Sequence, residues 1–486
     1  MPMISFARRL VDLVERDPER PAVTDERRTL TRAQLDDLAT RTAHELSRYG
    51  AGPGRMVTIA LPNGVEFVAA VIACWKIGAT PQPVSFMAPH LEVEAIVELA
   101  DPVVVVGAEP GEFVGRTCLP RGWEPGPGLA SADPLPDVTS DPWKAMTSGG
   151  STGRPKLILV GEPGVADREF VSPFGIANDG CHMMPGPLYH NGPFIWATHA
   201  MMAGAHLVLG GRFDAEKTLE LIDRHHADSM YIVPTMMGRI WKLPEEARAR
   251  YDVSSLQVVW HLSAPCPQWL KEAWIGWLGP EKIFELYAGT EAQAATIING
   301  TEWLEHRGSV GRAIAGEMKI VGEDGEDLPP GEVGEVFMRP SDPGKKTYRY
   351  VGAEAHVIDG GWESLGDLGS MDADGFLYLS DRKNDMILVG GSNVYPAEVE
   401  AALEEHPLVQ SSVVIGLPDE DLGSRVHALV HASGDLDIDD LRAHLAERLV
   451  RYKIPRTFEL VQEPLRDDAG KVRRWALAQE RDGTSS

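Results

Sequence analysis

The sequence is short of cysteine and of positive charge, and it has no long apolar run. Its 486 residues include four cysteines, Cys74, Cys118, Cys181 and Cys266, far apart and without a CxxC pair. That spacing argues against a disulfide framework or a structural zinc site and fits a reducing cytoplasm. No stretch approaches the roughly 18 consecutive apolar residues of a membrane span. The opening MPMISFARRLVDLVERDPE carries acids early and has neither the apolar stretch nor the cleavage site of an export leader. Lysine and arginine total 46 against 72 aspartates and glutamates, a net charge of −26. Such acidity disfavours nucleic acid or an anionic membrane as the main partner, while leaving room for a local phosphate site. Only 13 of the basic residues are lysine, and with 49 Gly and 36 Pro the composition points to a high-GC bacterial source. The histidines show no metal-ligand spacing, and no fixed-period repeat is present.

What is there reads as an ordinary globular chain, 43% hydrophobic and 24% charged. Its length leaves room for two to four domains of roughly 100–200 residues each. The first fifty residues read as two helices around a short strand pair, with Thr31 and Gln34 forming a capping box and Gly50 ending the second helix. Strand patterns (56–62, 102–107, HLVLG, DSMYIVP, LQVVWHLSAP) then alternate with helix-length segments such as VEFVAAVIACWKIGA, which implies βαβ units and largely parallel sheets. Near 310 the text changes to short strands and turns, a small β-rich subdomain. After Lys383 it becomes a compact α+β tail. The expected fold is therefore α/β: a large N-terminal domain, 1–383, of two sheet-and-helix subdomains plus the β-rich one, and a compact α+β C-terminal domain, 384–486.

The most informative segment is MTSGGSTGRPKLILV, residues 146–160. Ser148, Gly149, Gly150, Ser151, Thr152 and Gly153 are small or hydroxylated, so their backbone N–H groups can converge on phosphate oxygens. Lys156 adds a point charge. No Gly-Lys-Ser/Thr follows at P-loop spacing. Gly149–Gly153 does match G-x-S-x-G, with Ser151 as a would-be hydrolase nucleophile. That reading needs a strand, a sharp turn and then a helix, whereas Pro155 and a β-like run follow.

SGGSTGRPK resembles the phosphate-binding loop of the adenylate-forming superfamily (acyl-CoA synthetases, adenylation domains, luciferases), with Gly149 where Ser is commoner. The resemblance continues in order through LSAPCP (262–267), YAGTE (287–291), LGD (365–367, Leu365 replacing Thr), SDRKNDMILVGGSNVYPAEVE and DDAGKVRRWAL. It is most like the bacterial acyl-CoA ligases and implies R–COO⁻ + ATP → acyl-AMP + pyrophosphate, then transfer to a thiol. Its implied cofactors and co-substrates are ATP, Mg²⁺ and CoA.

By resemblance, Lys471 bridges the substrate carboxylate and the α-phosphate, and Thr290 donates to that phosphate. Glu291 holds Mg²⁺ through a hard carboxylate oxygen. Tyr287, Ala288 and Gly289 lie along the nucleotide, and Ser263, Ala264 and Pro265 flank the adenine. Asp367 and Arg382 take the ribose. Asn384 is the hinge about which the C-terminal domain rotates between the two half-reactions. Gly390 and Gly391 border the pantetheine tunnel, and His190 gates the acyl and thiol tunnels.

No acidic residue in YHNGPF is available for an amino-acid ammonium, and Phe194, Trp196 and Met237 join His190, Ala288 and Gly289 as an expected acyl pocket. The expected substrate is an apolar, bulky acid of steroid, terpenoid or bile type, with aromatic and fatty acids as close competitors. Three other readings remain open: a carrier protein or another nucleophile as acceptor, a nucleotide-binding protein without catalysis, and the serine hydrolase.

Overall fold

The structure is a computed structural model, and it describes all residues except 1–2, 127–132, 150–154, 343, 420, 468–469 and 482–486. Local chemistry sets the early elements as expected. Helix Arg32–Arg48 begins at Thr31, whose hydroxyl accepts from the Gln34 N–H while Gln34 Oε1 accepts from the Thr31 N–H at 2.9 Å. Gly50, at φ +89°, turns the chain after it. Helix Val65–Lys76 is buried along nearly its whole length, because it and helix Arg32–Arg48 fill the layer between the two N-terminal sheets.

The larger sheet has fourteen strands. Its parallel half places Pro21–Thr24, His206–Leu209, Cys181–Met184, Ser229–Ile232, Val258–His261 and Ile283–Ala288 side by side. The β-rich segment is not set apart from it. Ile283–Ala288 pairs antiparallel with Ala295–Asn299, and hydrogen bonding runs on through Gly311–Ala315 to Phe376–Arg382 and Trp362–Met371. The parallel sheet and the β-rich part thus share one continuous hydrogen-bonded surface.

A second, four-stranded parallel sheet (Met56–Ile59, Thr80–Pro83, Val104–Val106, Thr117–Leu119) packs beside a three-stranded antiparallel one. That smaller sheet holds Ala145–Gly149, Pro155–Val160 and Tyr348–Val351. The phosphate-loop sequence therefore joins two paired strands, and a strand rather than a helix follows it. This removes the structural context that a hydrolase nucleophile at Ser151 needs.

The tail folds around its own apolar core. Strands Val409–Asp419, Gly423–Ala432 and Thr457–Val461 carry helices Pro396–Glu404 and Ile438–Ala446, and Val399, Leu403, Val414, Val430, Leu441 and Leu445 meet between them. Buried Glu400 accepts from Arg466 and from Arg474 (2.8 Å). Arg466 and Arg474, on either side of Asp467 and Lys471 in the sequence, are thereby anchored to the tail's core.

Candidate active site

The strand ends and loops that carry the motifs converge on one cleft. The Ile283–Ala288 strand delivers Tyr287, whose hydroxyl donates to Asp367 Oδ2 at 2.7 Å. Asp367 and Arg382 are direct partners across neighbouring strands, and Arg382 Nε lies 3.3 Å from Asp367 Oδ1. Removal from water, together with the Asp367 carboxylate, holds the Tyr287 phenol well above its usual range, so it stays a proton donor.

Beyond the same strand the chain turns through Gly289 and Thr290 to Glu291. A Cβ at Gly289 would stand 2.3 Å from Leu365 Cδ1, so the Leu that replaces the usual Thr packs directly on this glycine. Glu291 is buried, at 5% exposure. Lys156 Nζ lies 3.3 Å from its Oε1, and the Tyr350 hydroxyl donates to the same oxygen. Lys156 also donates to Tyr350 OH at 2.9 Å and sits 4.0 Å from that ring's centre. One hard carboxylate oxygen in a cleft suits magnesium that takes its other ligands from phosphate and water. Among the described residues, no three His, Cys, Asp or Glu side chains come together to form an all-protein site.

The tail supplies the opposite wall. Asp467 and Lys471 close a tight turn: Asp467 N–H donates to Lys471 O at 2.9 Å, and Lys471 N–H to Asp467 Oδ1 at 2.8 Å. Gly470 takes φ +75° at its tip, and a Cβ there would lie 2.5 Å from Thr235 Oγ1 and 3.7 Å from Ala264 Cβ. The turn therefore seats on the large domain with no room for a side chain. His190 caps helix Asn191–Ala203, and its Nε2 lies 3.7 Å from Asp467 Oδ2. Burial pushes the Asp467 carboxyl up, but the His190 ring 3.7 Å away, the Lys471 backbone N–H and the Lys471 ammonium outweigh it and hold the pKa below the usual carboxylate value. The protein around Lys471 lowers its ammonium pKa, with Asp467 and Glu291 opposing and Arg382 adding to the fall. Lys471 thus lies within electrostatic reach of both Arg382 and Glu291.

Other sequence candidates are placed differently. Phe194, Trp196 and Met237 are 3%, 2% and 0% exposed and pack in the main core, Phe194 on Trp143 and Trp196 on Phe174. Ser263 has φ +78° and its hydroxyl lies 2.9 Å from Tyr231 OH. Ala264 meets Gly470, while Pro265 is exposed on the same turn. Ala288 ends its strand half-buried beside Gly289. Asn384 is exposed between two anchors: Lys383 bonds Glu335 at 2.9 Å, and Asp385 bonds Arg474 at 2.9 Å. Gly390 and Gly391, at φ +55° and +85°, form an exposed hairpin turn, Gly390 against Leu422. The backbone of Ser148 and Gly149 ends strand Ala145–Gly149. Gly150, Ser151, Thr152 and Gly153 lie outside the described residues.

Two residues here carry little signal in the sequence. Tyr350 reaches Glu291 because its strand pairs with Pro155–Val160. Lys144, 4% exposed, precedes the strand leading to the phosphate loop and donates to Asn191 Oδ1, next to His190. Among the described residues no carboxylate forms an ion pair with it, and burial pushes its ammonium down to about 7, with Glu291 opposing. A lysine inside the otherwise apolar run of Trp143–Met146 was the one available hint.

Comparison with known proteins agrees with this geometry. The profile of the AMP-binding enzyme family matches residues 10–342, and that of the AMP-binding enzyme C-terminal domain matches residues 398–471. The chain is 30% identical to the fatty acid–[acyl-carrier-protein] ligase ScoC of Streptomyces coeruleorubidus, over 95% of this chain and 94% of that protein. It is also 30% identical to the 2-succinylbenzoate–CoA ligase of Geobacillus kaustophilus, over 95% of each. The solved o-succinylbenzoate CoA synthetase of Bacillus subtilis, in complex with an acyl-adenylate intermediate, superposes with a TM-score of 0.79 at 25% identity, covering 98% of both chains. The amide bond synthetase McbA of Marinactinospora thermotolerans does so with 0.76 at 27% identity, covering 98% of this chain and 99% of that one. The chain belongs to the AMP-binding enzymes, the adenylate-forming superfamily.

Proposed function

We propose that this chain is an ATP-dependent acid–CoA ligase, forming acyl-AMP with release of pyrophosphate and then passing the acyl group to CoA. The observation that carries the reading is the convergence of Lys471, on a turn seated against Thr235 and Ala264, with Glu291, Lys156 and the Tyr287–Asp367–Arg382 group. Attack of a carboxylate on the α-phosphate brings two anions together, so the site must supply fixed positive charge and alignment. The Lys471 ammonium bridges the two. Asp367 and Arg382 hold the ribose, and Tyr287, held by Asp367, lies beside the adenine with Ser263–Pro265. Residues 148–153 and Lys156 receive the phosphates, and Thr290 donates to the α-phosphate. Mg²⁺ held by Glu291 would neutralise charge on the triphosphate.

The second half-reaction uses a different arrangement, in which the turn at Gly390 and Gly391, exposed here, borders the thiol's path. We assign domains 1–383 and 384–486, with Asn384 as the pivot. The anchoring of Lys383 and Asp385 to opposite domains supports this. His190, which caps a helix on one domain and meets Asp467 of the other, is placed to register the rotation as the tunnel gate.

The proposed acid is apolar and bulky, contacted by His190, Ala288 and Gly289, while Phe194, Trp196 and Met237 shape the pocket from the packed layer behind. The similarity to ScoC supports a second reading, transfer to a carrier protein, and the similarity to McbA supports another nucleophile. Free cysteines and the lack, among the described residues, of a helix long and apolar enough to cross a membrane accord with a cytoplasmic enzyme. The test is pyrophosphate release with ATP·Mg²⁺ across fatty, aromatic, steroid and terpenoid acids, with and without CoA. Acyl-CoA from one class supports the ligase. Acyl-AMP that CoA leaves untouched moves the acceptor to the second reading. No release with any acid removes the proposal.

A further inference from the structure

Ser263 is one of five non-glycine residues with positive φ among the described residues. Left-handed backbone at such a residue is strained, and it persists only where the surroundings hold it. Here the holder is visible. Tyr231, in strand Ser229–Ile232, is fully buried, and its hydroxyl lies 2.9 Å from Ser263 Oγ. The ring cannot swing away. A Cβ at Gly192 would stand 2.5 Å from Tyr231 OH, and one at Gly186 would stand 3.3 Å from its ring. Burial also pushes the phenol pKa up, so it remains protonated and able to donate.

The turn held in this way has a second contact. Ala264, the next residue, packs against Gly470, which also rests on Thr235 just beyond Tyr231's own strand. Tyr231 and Thr235 come from one chain segment and Ser263 and Ala264 from the neighbouring one, and together they make the surface that receives the Lys471 turn.

We infer that Tyr231 is a positioning residue for adenylation: its buried hydroxyl locks Ser263 in a left-handed turn, and that turn seats Gly470 and Lys471. The inference rests on the proposed adenylation by Lys471. It predicts an effect confined to the half-reaction in which the Lys471 turn is docked. It also predicts that glycine, which adopts φ +78° without strain, substitutes for the hydrogen bond where alanine does not.

The test uses the full-length enzyme with Tyr231→Phe, Ser263→Ala and the double variant Tyr231→Phe/Ser263→Gly. Pyrophosphate release is followed with ATP·Mg²⁺ and whichever of decanoate, phenylacetate or cholate turns over fastest. Thioester formation is followed from added acyl-AMP and CoA. Hydrogen exchange over residues 464–475 reports docking without turnover. Tyr231→Phe and Ser263→Ala are each expected to slow pyrophosphate release about tenfold, the scale of one lost partly buried hydrogen bond, and to speed exchange in the 464–475 segment. In Tyr231→Phe, thioester formation should stay within about twofold, and the double variant should regain most of the loss in pyrophosphate release. Equal losses in both half-reactions of Tyr231→Phe, or no rescue by glycine, overturn the inference. So does unchanged exchange. If the wild type releases no pyrophosphate with any of the three acids, the adenylation reading fails, and the exchange rates still decide whether Tyr231 sets the seat.

Discussion

Replacing Lys144 with methionine should stabilise the protein, and by an amount that depends on pH. Lys144 is 4% exposed, donates to Asn191 Oδ1 and has no carboxylate partner among the described residues. Burial lowers its ammonium from 10.5 to about 7. The unfolded chain keeps this proton up to about 10.5, whereas the folded chain keeps it only below about 7. Between those values the unfolded state binds more protons, so stability rises with pH across that window. Below it, the full cost stands: about 3.5 pH units at about 1.4 kcal/mol each, or about 5 kcal/mol. Methionine of similar length removes that cost and leaves Asn191 Oδ1 without its donor, which returns about 1–2 kcal/mol. The net gain at pH 6 is about 3 kcal/mol, or roughly 4 °C in the Tm of a unit this large. At pH 9.5 only about 1 kcal/mol of the charge cost remains, so the two proteins should melt together. Scanning calorimetry of both proteins at the two pH values is the assay. A variant less stable than wild type at pH 6, or a shift equal at both pH values, refutes the reasoning.

Lys471→Ala should reduce pyrophosphate release by about a thousandfold or more, as loss of a transition-state charge does, while thioester formation from supplied acyl-AMP stays close to normal. Rapid-quench measurement of each half-reaction checks this. Gly470→Ala puts a methyl 2.5 Å from Thr235 Oγ1 at φ +75°, so it should slow adenylation at least tenfold, and Thr235→Ala should recover part of that loss in the double variant. The ammonium of Lys471 must be charged to act, and the surrounding protein lowers its pKa. The alkaline limb of kcat/KM for pyrophosphate release, which reports the free enzyme, should therefore fall below 10.5, and a limb at or above 10.5 contradicts the placement.

Residues whose chemistry is local, or whose roles follow linear order, were legible in the sequence. The Thr31–Gln34 capping box needs only its own four residues. The motifs around Tyr287, Asp367, Arg382 and Lys471 follow one another in a recognisable order along the chain, and the fold brings them to one cleft. Tyr350 was not legible, because it meets Lys156 and Glu291 only through pairing of strands nearly two hundred residues apart. The β-rich subdomain was legible as a change of pattern near 310, but its hydrogen bonding to the parallel sheet was not, because the antiparallel pairing through Ala295–Asn299 to Gly311–Ala315 leaves no mark in strand composition. Helix Asn191–Ala203 is apolar on nearly every side, so its pattern could not say which residues face an acyl group and which, like Phe194 and Trp196, pack into the core.

The central claim, that the carboxylate itself attacks the α-phosphate, is tested most directly with an acid labelled with ¹⁸O in both carboxylate oxygens. Turnover with ATP and CoA, followed by mass spectrometry of the nucleotide product, should show AMP carrying one labelled oxygen and pyrophosphate carrying none. Label in a phosphate released with ADP, or no label in the AMP, would contradict adenylation by this site.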